Sequence, residues 1–507
     1  MSLRVRLPVP VAVLLGLASL ACRHSAAEGR AGSPPQPNIV LILADDIGYG
    51  DLGSYGATRV RTPHLDRLAT EGLRFTDAHS PSSMCSPTRY ALLTGNYAWR
   101  GPLKRGVLSG VAPLCIPPGR PTLASVLRQA GYRTACVGKW HLGLGEGETD
   151  YNREIRPGPL DLGFDYFYGV PATGDRVPCV YVENRKVVGR DAKDPIQVSY
   201  REPVGAEPTG KDRPDLLTMK PSAGHNQTIV EGISRIGFMA GGQAARWKDA
   251  DMADTLAQRA VRFIARNRRR PFFLHFASHD IHVPRVPHAR FRNTSGCGIR
   301  GDVIQQLDAS VGTLLGALDR WKLTDNTLVL FSSDNGGVLD DGYQDGAVAD
   351  LNGHLCNGSL RGFKGGLYEG GHRVPLLARW PGRIRPGVTD HLACLVDLPA
   401  TLAAAAGREF PADAGLDSLN LLPTLLGQAT RSPRDTLVMH AGNGSLGVRR
   451  GHWKLIPPGQ GPTARREPQL FHLGEDLAEK DDRAGRDPAR VQELTVLLAQ
   501  IRARGGE

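Results

Sequence analysis

Two pairs of oxygen donors stand at the ends of apolar runs in this chain. Ile39 to Leu43, in NIVLILADD, leads into Asp45-Asp46, and Leu328 to Phe331, in NTLVLFSSDNGG, leads into Asp334-Asn335. Three carboxylates and an amide oxygen are hard donors, suited to Ca2+ or Mg2+ rather than zinc. Either pair alone reads as a turn or helix cap; two pairs on parallel strand ends read as one ion site. Two further runs end in nitrogen bases. Thr134 to Val137, in RTACVGKWH, precedes Lys139 and His141, and Phe272 to Phe276, in PFFLHFASHDIH, precedes His279 and His282. A lone thiol stands in SPSSMCSPTRYALLTG. Ser86 and Pro87 read as N-cap and first helical residue, residues 88–94 as a short helix and Gly95 as its stop. Cys85 then lies at a helix N-terminus, where N–H groups favour an anion, with Arg89 one turn later on the same side. A thiolate there can act as a nucleophile; the other reading is an ordinary half-buried cysteine.

The elements that must bring these groups together follow from periodicity. Continuous aliphatic runs suit strands buried on both faces of a parallel sheet. Between them lie helical patterns at residues 121–130, at 251–266 with Met252, Leu256, Ala260, Phe263 and Ile264 on one face, and at 302–318 with Ile304, Leu307, Val311 and Leu314. The alternation predicts an α/β fold, a doubly wound, mostly parallel sheet flanked by helices. Ligands of such sheets bind outside the carboxyl ends of the strands, where the acids, lysine and histidines lie. Residues 169–250 are irregular and long for a loop, as expected of an insertion that shapes a pocket. After Leu426 the pattern changes to short strands (TLVMH, LGVRRGHWKLIP, PQLFHLGED) and an amphipathic helix at 490–502. The expected organisation is a signal peptide at 1–22, a flexible linker at 23–37, a catalytic domain at 38–428 and a smaller α+β C-terminal domain at 429–507.

Composition narrows the class. The chain has 507 residues, 41% hydrophobic and 22% charged, which suits a globular protein with a large core and a smaller partner. Arg4 and Arg6 precede an apolar run from Leu7 to Leu20, too short to span a bilayer, and Ala21-Cys22 follows. Export, to the periplasm or outside, is the expectation. Lipidation of Cys22 is left open, because Ser19 stands where lipoprotein signals carry a large aliphatic residue. The eight cysteines show no disulfide framework and no CxxC pair. The net charge of +11 suits an acidic substrate such as a sulfated glycan, although the arginines are scattered apart from Arg268-Arg269-Arg270. No nucleic-acid motif is present.

Cys85-Ser86-Pro87-Thr88-Arg89 matches the C-x-P-x-R signature of type I sulfatases. The resemblance extends through PNIVLILADDIGYGDLGSYG, TPHLDRLATEGLRFTDAH, GKWHLG, SDNGG and FKGGLYEGGHRVP to LFHLGEDLAEKDD, nearly the whole chain after Pro37. It implies an alkaline phosphatase-like fold and hydrolysis of sulfate monoesters, of a sulfated sugar or an aryl sulfate. It implies that Cys85 is oxidised to formylglycine by a separate generating enzyme during export, and that the hydrate is the nucleophile. Asp45, Asp46, Asp334 and Asn335 align with the family's Ca2+ ligands. Arg89, Lys139, His141, His282 and Lys364 align with its polar catalytic set. Thr173, in GVPATGD, stands where relatives carry a serine that contacts sulfate, and His279 is the second histidine on the substrate side. Whether His282 or Lys364 protonates the leaving alcohol is open. Competing readings are a phosphate or phosphonate monoester hydrolase of the same superfamily and a non-catalytic binder of sulfated glycans.

Overall fold

A computed structural model describes residues 1–8, 36–459 and 465–504. The chain divides into Met1–Pro35 and Gln36–Glu507, and the second unit holds the fold. Cys22 and most of the expected signal segment and linker lie outside the described residues.

The four apolar runs form adjacent parallel strands. Asn38–Ala44 lies between Thr327–Ser333 and Phe272–Ala277, with Arg133–Lys139 and then Tyr166–Val170 beyond. Ile39 through Ala44 have no exposed surface, as an unbroken aliphatic strand covered on both faces requires. Antiparallel and short edge strands extend this parallel heart to ten, with Leu376–Arg379, Leu73–Phe75 and Gly387–Thr389 on one side and Val182–Glu183 and Lys186–Val187 on the other. The sheet is thus doubly wound and mixed, with the parallel strands at its centre.

The flanking helices fall into two groups. Met252–Asn267 packs on Gly298–Arg320, which also receives Pro63–Thr70; Asp308 accepts the first free N–H groups of the latter, from Leu65 at 2.8 Å and His64 at 3.2 Å. Cys85–Thr94 packs with Leu123–Gln129 and Leu398–Ala405. Leu123–Gln129 starts in a capping box between Thr122 and Ser125.

Residues 169–250 hold short strands, such as Gln197–Ser199 paired with Phe238–Ala240, and single 3-10 turns such as Pro214–Leu216. Near the C-terminus Thr436–His440, Leu446–Arg450, Trp453–Ile456 and Gln469–His472 make a four-stranded antiparallel sheet. With helix Pro488–Ala503 it forms an apolar cluster around Leu437, Val448, Leu455, Leu470 and Leu494, into which Ala91 of the Cys85 helix also packs. No helix among the described residues is long and apolar enough to cross a membrane.

Candidate active site

Strand register explains why the oxygen donors meet. Ala44 pairs with Ser333, so the next residues, Asp45 and Asp334, leave neighbouring strand tips side by side. In a continuing strand Asp45 and Asp46 would point to opposite faces. Asp46 instead has φ +64°, a left-handed conformation that aspartate tolerates better than most residues, and the chain turns there. Asn335 Nδ2 donates to Asp46 Oδ1 at 2.7 Å, and Asp46 N–H faces Asp334 Oδ1 at 3.3 Å. All four residues are fully buried.

Three cations line this cluster. Lys139 Nζ donates to Asp45 Oδ2 at 2.5 Å. Arg89 grips Asp334 Oδ2 through Nε at 3.0 Å and Nη2 at 2.7 Å, and its Nη1 donates to Lys139 O at 3.1 Å. Lys364 Nζ reaches Asp46 at 2.9 Å and Asp341 at 2.8 Å. Burial, reinforced by Asp334, pushes the Asp45 carboxyl well up, against Lys139 and Arg89. At Asp46 burial acts the same way, but Lys364, His282 and Lys139 outweigh it and hold the group below the usual carboxylate range. Lys364 is lowered by burial, yet Asp341 and Asp46 carry it well above the ordinary lysine value.

Two buried oxygens, Asp45 Oδ1 and Asn335 Oδ1, have no hydrogen-bond partner among the described residues. Asp45, Asp46 and His282 also present ligand atoms within 4.8 Å of one another. Unpartnered buried acceptors beside hard donors fit a divalent cation of the calcium class.

Cys85 is the first residue of helix Cys85–Thr94, and Gly95 closes the helix in the left-handed region at φ +69°. The helix therefore starts two residues earlier than its sequence suggests. Ser86 does not cap it: its hydroxyl donates to His141 O at 2.9 Å, tying the thiol-bearing turn to the strand end that carries His141. Burial raises the Cys85 thiol, with Lys139 and Lys364 acting against it.

His141, His279 and His282 are buried, and their hydrogen-bond partners assign their tautomers. His141 Nε2 lies 2.9 Å from Leu108 O, so Nε2 carries the hydrogen; Nδ1 is buried and has no partner. Burial, Lys139 and Arg176 hold its pKa far below the ordinary value. His282 donates from Nδ1 to Val283 O at 2.8 Å, leaving Nε2 bare and facing Asp341 at 3.6 Å and Asp46 at 3.9 Å. Its pKa is also well lowered, by burial, Lys364 and Lys139. His279 accepts from Gly174 N–H at 2.9 Å through Nε2 and is lowered to about 4 by burial and Lys139. It braces the loop that carries Thr173. The Thr173 hydroxyl bonds to Asp175 and accepts from Arg176 Nη1 at 2.9 Å.

Four residues that the sequence reading passed over join this group: Asp175, Arg176, His225 and Asp341. His225 Nε2 meets Asp175 at 2.9 Å, and Arg176 Nη1 bridges both Asp175 oxygens at 3.0 Å. They come from irregular segments, TGDR, SAGHN and VLDDG, where no periodicity marks which side chain turns inward. The only signal was the density of charged residues beside glycine.

Comparison with known proteins bears on the chemistry. The family model described as Sulfatase matches residues 37–408. An N-acetylgalactosamine-6-O-sulfatase of Bacteroides thetaiotaomicron is 46% identical over 504 residues, covering 97% of this chain and 98% of the relative. Arylsulfatase A of Bos taurus is 36% identical over 515 residues, covering 94% and 90%. A solved Bacteroides thetaiotaomicron structure, described with the metabolism of multiple glycosaminoglycans, superposes with a TM-score of 0.91 at 47% identity, covering 93% of this chain and 100% of that one. With two chains aligned almost end to end and the family model spanning the whole parallel sheet, this protein belongs to the sulfatases, the sulfuric ester hydrolases of the alkaline phosphatase-like superfamily.

Proposed function

We propose that the chain removes the 6-O-sulfate of N-acetylgalactosamine units in sulfated glycans, using a formylglycine hydrate made from Cys85. The supporting observation is one convergence: Cys85 at its helix start, within the fields of Lys139, Lys364 and Arg89, beside two buried oxygens that lack partners. The substrate is inferred from the name of the 46% identical relative. The formylglycine would come from a generating enzyme during export, which the N-terminal basic and apolar segment supports.

The Cys85 sulfur stands in for the hydrate oxygens, since oxidation keeps Cβ and exchanges sulfur for oxygen. One hydroxyl gives up its proton and forms an O–S bond as the ester O–S bond breaks, and the alcohol departs with a proton, so protons balance over the step. A divalent cation held by Asp45, Asp46, Asp334 and Asn335 would offset charge on the sulfate oxygens. Arg89, Lys139 and Lys364 do the same from fixed positions in a buried site. Lys364, kept protonated by Asp341 and Asp46, holds the proton for the leaving alcohol, with His282 Nε2 beside it. His141 Nδ1 then accepts the proton of the second hydroxyl. The Cβ–O bond to sulfate breaks, the carbonyl reforms and water restores the hydrate. A serine has no second hydroxyl and cannot complete the cycle.

Sulfate release from N-acetylgalactosamine-6-sulfate, its 4-sulfate isomer and N-acetylglucosamine-6-sulfate tests the reading, with the oxidation of residue 85 verified by peptide mass. Turnover of the first well above the other two is expected. Faster hydrolysis of an aryl phosphate than of its sulfate twin would reassign the chain as a phosphate or phosphonate ester hydrolase. Full oxidation of residue 85 without turnover of any sulfate ester would leave a glycan binder.

A further inference from the structure

We propose that Glu479, which follows the last strand of the C-terminal sheet, is the positioning residue that sets Lys364 against the leaving oxygen. This rests on the reading above in which Lys364 supplies the proton of the departing alcohol. Two of the three cations at the strand tips are placed by regular elements: Lys139 ends a strand and Arg89 lies in a helix. Lys364 is placed by neither. It stands in RGFKGGLYEGGH, a glycine-rich loop whose regular part is the short turn Glu369–His372. Asp46 and Asp341 hold its Nζ at 2.9 and 2.8 Å. They fix the amine against two carboxylates; its reach toward an ester depends on where the backbone of residue 364 stands.

One residue clasps both ends of that loop. The Glu479 carboxylate accepts from Glu369 N–H through Oε2 at 2.6 Å, beyond the lysine, and its carbonyl accepts from Arg361 Nη1 at 2.7 Å, before it. The two ends also meet directly. Gly370 N–H donates to Arg361 O at 2.7 Å, and the Arg361 guanidinium lies over the Tyr368 ring at 3.9 Å. The middle of the loop touches the nucleophile's segment, where Gly365 N–H donates to Ser83 O at 2.8 Å. Glu479 is itself anchored to the C-terminal sheet: Lys454 Nζ, on strand Trp453–Ile456, lies 2.8 Å from its Oε1. Lys480 beside it is exposed, yet Glu479 has no exposed surface. Its backbone is left-handed, at φ +52°, a conformation that a glutamate keeps where its surroundings fix it, and such strain clusters where position serves function.

The chemistry of the transfer step gives this role a signature. Residue 85 gives up a hydroxyl proton and forms its O–S bond, the ester O–S bond breaks, and the departing oxygen takes a proton from Lys364 Nζ, which is left as a neutral amine. A phenol that leaves readily as its anion needs little of that proton, whereas an alkyl alcohol needs all of it. A displaced Lys364 therefore shows as a loss that grows as the leaving group worsens. A residue that only stabilises the fold lowers every substrate alike.

The test is kcat/KM, which reports the steps up to transfer and not the later release of sulfate. It is measured for aryl sulfates from nitrophenyl to methoxyphenyl and for N-acetylgalactosamine-6-sulfate. E479Q keeps the size of the side chain but offers one acceptor oxygen where Glu369 N–H and Lys454 use two. Its losses should rise from a few-fold for nitrophenyl sulfate to about 10²-fold or more for methoxyphenyl sulfate and the sugar ester. R361A cuts the exposed end of the same clasp, where the fold tolerates substitution, and should show the same trend more weakly. If E479Q does not fold, R361A alone decides. R449A removes the Asp77 pair at 2.7 Å elsewhere in the C-terminal sheet and should lower all the esters alike or not at all. Parallel losses across the series in either folded clasp variant, or no loss, overturn the proposal and leave the sulfatase reading intact. So does a graded loss in R449A. Wild type that turns over no sulfate ester with residue 85 oxidised fails the reading beneath, and the proposal with it.

Discussion

His141 shows how a single side chain can be set for one proton. Its backbone is left-handed, at φ +55°, which turns the residue out of line with the strand that ends at Lys139. Leu108 O takes the Nε2 hydrogen, so the only free lone pair is on Nδ1, and that atom is buried without a partner. Lys139 and Arg176 add to burial in keeping the ring neutral, the state a base needs. His141→Ala is expected to slow steady-state turnover by about 10²- to 10⁴-fold. The slow step should then be release of sulfate from residue 85, not its transfer there. Intact-protein mass after mixing with substrate should show one added sulfo group in the variant and none in wild type. A slow variant that never accumulates the sulfated form would place His141 elsewhere in the cycle.

At the scale of elements, the C-terminal sheet holds the loop that presents Cys85. Ser83 N–H and the Ser82 hydroxyl both donate to His440 O at 2.9 Å, on the sheet's first strand. Arg449, on the second strand, grips both oxygens of Asp77 at 2.7 and 2.8 Å, and Asp77 also holds His79 Nε2 at 2.8 Å. Nearby, Lys454 Nζ bonds Glu369 and Glu479 at 2.8 Å each, so the buried His79–Glu369–His372 cluster already contains its cation. Arg449→Ala leaves Asp77 buried with less compensation and should cost about 3–5 kcal/mol in urea unfolding at neutral pH. Acid gives the sign. Burial raises Asp77, but His79, Arg373 and Arg449 hold it well below the ordinary carboxylate range. A depressed folded pKa means stabilisation present above the unfolded value of about 4 and lost as pH falls below it. Wild type should therefore shed stability more steeply than the variant below about pH 4; equal slopes would remove Asp77 from the account. The strands of this brace were legible as short runs after Leu426, but its ion pairs were not, because partners there are fixed by register. Ser86, which resembles a helix cap, is hydrogen-bonded to His141 instead. The four apolar runs were legible because a strand covered on both faces must be apolar throughout.

At the scale of the whole molecule, the strand tips carry a pairing of charges that sets how an ion would bind. Asp45, Asp46 and Asp334 were legible because they end apolar runs. Arg89 was legible from its spacing to Cys85, whereas Lys364 was placed only by resemblance. Asp175, Arg176, His225 and Asp341 were not, because they arrive on loops of no fixed period. The three tip carboxylates each touch a cation within 3 Å: Lys139 on Asp45, Lys364 on Asp46 and Arg89 on Asp334. Each tip carboxylate is thus paired within the chain, with Lys364 shared by Asp341, and folding does not need an ion to relieve three unpaired buried charges. Chelation should then abolish hydrolysis while the protein remains folded, with a loss in thermal midpoint that calcium restores in proportion to the logarithm of its concentration. A divalent ion added to paired tips leaves excess positive charge, which an anion in the sulfate position offsets. Calcium should therefore bind more tightly when inorganic sulfate is present, and sulfate more tightly when calcium is, by the same factor. Calorimetric titration of each ligand with and without the other measures that factor. A factor of one, or unfolding on chelation, would show that the chain's cations do not relieve the tip carboxylates.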